Sequence, residues 1–215
     1  MGSFYVNATV EASADKAADF LKTKQLNAFV MPTAAQQCVV YEAICDMQDT
    51  EHMHHLLLEL SGQLDCVVLG VLNHDSDMLL LCLYKAGEYL GAHTCGYDFD
   101  EMHEGCEVDE DGELIEPEPK SEEEIAIKAQ QKHQSAVNMS QLLATAYQCA
   151  DKQEAILAAM TAEFVFANEV QETLAGIIGL PDYSIGWGYK YISESIREGH
   201  SEDGLDTSKV IKVGE

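Results

Sequence analysis

Histidine, cysteine and carboxylate side chains gather at a few places along the 215 residues. The first is His52, His55 and Glu59. Their spacings of three and four put them on one face of a helix, where an imidazole and a carboxylate can share a metal ion. The HEXXH pairing is absent, and the opposite face carries Met53, Leu56, Leu57 and Leu60. A solvated polar face opposite an apolar stripe is what any amphipathic helix shows, so that reading competes with the metal one. The second place is His93, Cys95, His103 and Cys106, four zinc-type ligands within 14 residues. Their spacing is not that of a standard finger. His93 and Cys95, two apart, share one face of a strand. The alternative is a strand end running into a loop.

Other stretches carry polar chemistry of a weaker kind. Asp109, Glu110, Asp111 and Glu113 surround Gly112, but the register of a calcium loop is incomplete. They read as part of a solvated linker, or as an acidic surface that docks on a basic partner; acidity suited to a salty habitat is a further explanation. Asn73 to Asp77 places two aspartates, a histidine and a serine together, yet these are turn formers and nothing marks an activated nucleophile. Trp187, the sole tryptophan, and Tyr189 lie in a glycine-broken aromatic run. They anchor a segment to the core or form an exposed partner-binding patch. No phosphate-binding glycine loop and no nucleophile elbow occurs.

Charge narrows the function classes. Twelve basic residues against 38 acidic ones leave a formal net charge of -26. Nucleic-acid backbones and anionic membranes call for clustered lysine and arginine, so neither is an expected partner. Half of the excess lies in residues 98–124, with fourteen acids and one lysine. Seven cysteines at irregular spacing, with no CxxC pair, read as reduced thiols used as small apolar side chains in a cytoplasmic protein. The N-terminus lacks a basic region followed by an apolar stretch, and no run of about 18 apolar residues occurs.

The elements that position these side chains follow from hydrophobic period. Residues 66–72, 78–83 and 88–93 read as three consecutive strands separated by turn formers, the first two covered on both faces. Before them come an alternating strand over 3–10, a helix over 14–24 behind Ser13, a short strand ended by Pro32, a strand over 37–43, and a helix over 50–63 capped by Thr50. This β-α-β-β-α-β order predicts an α+β, ferredoxin-like sheet with an added hairpin and two helices on one face. The charge-rich 98–124 reads as a linker or loop. A small all-helical C-terminal part is expected over 125–197: one helix from Ser121 to Gln134, a second capped by Asn138, a short one after Asp151, and a longer one ended by Gly179. Residues 183–192 read as extended or as a short hairpin, and 198–215 as a polar tail. The expected domains are therefore 1–97, 98–124, 125–197 and 198–215.

These features point to a non-catalytic interaction protein of inhibitor, immunity or adaptor type, with a basic partner protein and no assigned oligomeric state. The alternative is a zinc-binding protein or metal-dependent hydrolase using one of the two histidine sets.

Overall fold

A computed structural model describes residues 3–97, 121–199 and 206–214. Its centre is one antiparallel sheet of seven strands: β1 (Tyr5–Val10), β2 (Ala28–Ala34), β3 (Gln37–Glu42), β4 (Val67–His74), β5 (Met78–Lys85), β6 (Glu88–Gly96) and β7 (Ile211–Val213). Their order across the sheet is β6-β5-β4-β1-β3-β2-β7. The order differs from that of a simple ferredoxin-like sheet. Two strands extend the sheet beyond β4 and one beyond β2, and helices cover both faces.

Side-chain alternation explains the layers. Val68 and Leu72 of β4 join Cys82 and Tyr84 of β5 in a core under α1 (Ala14–Thr23) and α2 (Thr50–Leu64). Val67, Leu69 and Val71 join Leu79, Leu81 and Leu83 in a second core under α3 (Glu122–Ala146), α4 (Gln153–Thr161) and α5 (Asn168–Ile178). Strands enclosed on both sides need apolar residues at every position, which is why these two read as unbroken apolar runs. A third cluster, Phe29, Met31, Val39 and Tyr41, sits under α6 (Tyr189–Glu198) and takes Ile192 from it. The N-terminal sheet and the later helices thus share packed side chains.

Turn chemistry fixes the register. Asp75 and Ser76 both adopt left-handed φ at the β4–β5 turn, and Ala86 and Gly87 do the same between Lys85 and Glu88. Paired left-handed residues match the twist of the strands they join.

Several sequence expectations change in the structure. Pro32 does not end β2, which continues to Ala34. β7 pairs with Ala28–Val30, and among the described residues nothing pairs with the outer edge at Pro32, where a missing N–H is tolerated. Thr50 does not cap α2; the Asp49 side chain does, accepting from His52 N at 2.9 Å. Nor does Asn138 start a helix. Its Oδ1 accepts from Gln134 Nε2, four residues earlier on the same surface, and α3 runs through as one 25-residue helix. Ser121 and Glu124 form a capping box at its start.

The 183–192 segment is not extended: a 3-10 turn at Asp182–Ser184 precedes α6. Asp46 causes this. From a distant loop its carboxylate accepts from Tyr189 N at 3.0 Å and Lys190 N at 2.9 Å, satisfying two donors of the helix start. A Cβ on Gly188 would lie 2.2 Å from Asp46 Oδ1, so only glycine lets that carboxylate approach. Within the tail read as polar, Ile211–Val213 forms β7 and covers the edge of β2. Val213 is buried, and a three-residue strand is too short to carry its own sequence pattern. Among the described residues no helix is long and apolar enough to cross a membrane.

Candidate functional site

The helix-face histidines do not converge. His55 is 70% exposed and lies 4.0 Å from Glu51, one turn away. Glu59 Oε2 pairs with Lys24 Nζ, just past the end of α1, at 2.5 Å. His52 turns the other way, off the helix, and places Nε2 3.1 Å from Glu42 Oε2 at the end of β3. Glu42 is only 2% exposed. Its Oε2 also accepts from Ile44 N at 3.0 Å and Cys45 N at 2.9 Å, whereas Oε1 makes no well-formed hydrogen bond among the described residues. Cys45, 4% exposed, completes a group whose donor atoms all lie within 4.8 Å of one another. Burial first, and then the charge of Glu42, pushes the Cys45 thiol far up. Of the expected metal set, then, His52 finds other ligand-type neighbours, while His55 and Glu59 do not take part. Glu42 and Cys45 carried no signal in the sequence, because a strand end and a loop meet α2 only once the sheet has formed.

His93 and Cys95 do share a face of β6, as their spacing predicts, and both are buried under α3. His103 and Cys106 lie outside the described residues, as do Asp109, Glu110, Asp111 and Glu113. His93 Nδ1 lies 3.1 Å from Ser135 Oγ, which also reaches the Ala92 carbonyl at 3.3 Å. Its Nε2 is enclosed and makes no well-formed hydrogen bond among the described residues. Burial, and then the Lys132 charge, lower the ring to about 4; the nearby Met160 carbonyl opposes them weakly. The Cys95 thiol is pushed up to about 12, again by burial first. Both groups are therefore neutral at neutral pH. His93 lines a cleft of about 730 Å³ that also holds Asp77, Lys132, His133, Glu163 and Phe164.

The 73–77 turn has a structural part. Ser76 Oγ accepts from Ser3 N at 2.9 Å, the Ser76 carbonyl accepts from Ala167 N at 2.6 Å, and His74 Nδ1 contacts Gln48 Oε1. These contacts tie the hairpin tip to the N-terminus and to α5.

The aromatic segment is held down by a buried polar network. Asn7 Nδ2 donates to the Ser184 and Trp187 carbonyls, each at 2.8 Å. Gln171 Nε2 donates to Ser184 O at 2.6 Å, and its Oε1 accepts from Tyr5 O–H at 2.6 Å. Tyr41 O–H donates to the Tyr183 carbonyl. Tyr189 stacks on Phe29 with ring centres 4.8 Å apart, so it belongs to the core rather than to an open patch. Trp187 is half-buried and reaches a separate cleft of about 640 Å³. Glu172 of α5, Asp182, and Glu194 and Glu198 of α6 line this cleft together with Tyr191. Among the described residues no lysine, arginine or histidine lines it, though neighbouring Arg197 pairs with Glu198 at 3.4 Å. The four carboxylates were not singled out from the sequence. The signal was there in part: Tyr191, Glu194, Ser195 and Glu198 recur at helical spacing just after Trp187.

No protein-family model matches the sequence, and neither a curated protein nor a solved structure resembles the chain.

Proposed function

We propose that the protein is a non-catalytic interaction protein that receives a basic segment of a partner protein in the cleft between α5, residues 182–187 and α6. The lining of that cleft carries the reading: four carboxylates and two aromatic rings, with no lysine, arginine or histidine among its described lining residues, Arg197 beside it reaching only Glu198 at the rim. Carboxylates accept charge-assisted hydrogen bonds from guanidinium and ammonium groups, and the faces of Trp187 and Tyr191 attract the same cations. The network under Ser184 and Trp187 holds the backbone of one wall in place, which lowers the ordering cost of binding. The wider charge agrees. A chain at -26, with fourteen acids in 98–124, draws a basic partner by long-range attraction and speeds the encounter. Six cysteines among the described residues are buried and unpaired, which suits a reducing, cytoplasmic setting. Inhibitor, immunity and adaptor roles all take this form.

Trp187 is the only tryptophan, so its fluorescence reports on the cleft directly. Titration with an arginine-rich peptide at low salt should change that emission saturably. The apparent affinity should fall at least about tenfold between 50 and 300 mM salt. The double variant Asp182→Asn, Glu194→Gln should lose most of the response. Emission that ignores the peptide, or a response intact in the double variant, would rule out this cleft as the docking site.

A further inference from the structure

We propose that Glu42, Cys45 and His52 form a zinc-binding site, where the end of β3, the turn after it and the first turn of α2 meet. The three donor atoms lie within 4.8 Å of one another, and Glu42 Oε2 and His52 Nε2 are already 3.1 Å apart. Bonds of about 2.0–2.3 Å in a tetrahedron set ligand atoms roughly 3.3–3.8 Å apart, so movements of about 1 Å close the set.

The second observation is the orphan oxygen. Glu42 Oε1 is enclosed on a carboxylate 2% exposed, and among the described residues it makes no well-formed hydrogen bond, the Cys45 thiol being the side-chain donor that faces this carboxylate. The backbone N–H groups of Ile44 and Cys45 both go to Oε2. A buried carboxylate is costly unless it is paired or bound to a metal. Among the described residues the only ion-pair partner of Glu42 is His52, which is charged only when protonated, and Asp46 and Asp49 add further negative charge around Cys45. A divalent cation answers that field.

The donor types select the ion. Calcium and magnesium take oxygen ligands, whereas one carboxylate oxygen, one imidazole nitrogen and one thiolate sulfur make a borderline set that suits zinc. Three protein ligands leave the fourth position to water, and the His52 side chain, 26% exposed, marks the solvent side. When the metal binds, the S–Zn bond forms as the Cys45 thiol releases its proton to solvent. Glu42 and His52 contribute lone pairs and need only be unprotonated.

The test uses the full chain stripped of metal and titrated with Co²⁺, then with Zn²⁺. One equivalent of Co²⁺ should bind with a thiolate-to-cobalt band in the near ultraviolet, and Zn²⁺ should abolish it. Cys45→Ser should lose the band, His52→Ala should weaken binding at least about tenfold, and His55→Ala should leave both unchanged. A wild-type titration with no thiolate band overturns the proposal, as does a band that survives in Cys45→Ser. Should Cys45→Ser fail to fold, the volume-conserving Glu42→Gln decides instead, and unaltered Co²⁺ affinity there overturns the site.

Discussion

His93 shows how much of one residue's behaviour comes from where the chain puts it. Burial beside Lys132 keeps its ring neutral down to about pH 4, whereas an unfolded chain takes up that proton near 6.5. The unfolded state therefore binds more protons between these values. His93 supports the fold fully above about pH 6.5, and that support is lost as pH falls toward 4. The window corresponds to roughly 1–3 kcal/mol. Urea midpoints of the wild type and of His93→Gln, taken at pH 7 and pH 4.5, should differ in slope, with the wild type losing more on acidification. Parallel profiles would mean that the ring is not held neutral. Sequence spacing placed His93 and Cys95 on one face correctly, since strand period is local. It could not pair His52 with Glu42, because that contact spans the β3–α2 connection and depends on the angle at which α2 leaves it.

At the level of elements, caps and turns supply the sharpest predictions. Asp46 reaches across 143 positions to cap α6, and no local pattern encodes such a contact. That is why residues 183–192 read as extended: glycines flank the tryptophan, and the group that satisfies the helix start lies in another part of the chain. Asp46→Ala should cost about 1–3 kcal/mol in chemical denaturation, and Asp46→Asn, which keeps an acceptor, distinctly less. Two glycines should respond in opposite directions. Gly96 ends β6 at φ +83, with the Asp77 carbonyl 1.9 Å from the place of a Cβ, so Gly96→Ala should destabilise by at least about 2 kcal/mol. Gly176 lies inside α5 with nothing within 4 Å of that place, so Gly176→Ala should stabilise by about 0.5–1 kcal/mol. Equal effects at the two sites would contradict the backbone described above. The elements with strong period, namely the strands of the first 97 residues and α1 and α2, were readable within a few residues, as was the Gly179 end of α5. The single long α3 was not, since Asn138 is a good capping residue whose side chain is occupied elsewhere.

Across the whole molecule, the sheet is what unites the two halves of the chain. Its faces take α1 and α2 on one side and α3 to α6 on the other, and its β2 edge is covered by β7. The α+β class could be read from element order, and double coverage from the unbroken apolar runs of β4 and β5. The part played by residues 211–213 could not, since three residues at the end of a polar stretch carry no period. Removing residues 206–215 should expose the outer edge of Ala28–Val30 and part of the core beside it. The expected result is a loss of about 2–4 kcal/mol by denaturation and concentration-dependent self-association by light scattering, because an open strand edge invites pairing with another chain. A truncated chain that stays monomeric and fully stable would show that β7 is dispensable.

The position of β7 also sets a schedule for synthesis. The sheet is begun by its middle strand, and the edge of β2 has no partner until residues 211–213 have been added, about 180 positions later. At the usual 5–20 residues per second a ribosome takes on the order of 10–35 seconds over that interval. During it the growing chain offers the unpaired outer edge of an apolar strand, which is the circumstance in which nascent proteins are held by chaperones. Changes in codon usage that slow translation between residues 35 and 210 should therefore lower the soluble yield of this protein, even though they leave every residue of the finished molecule the same.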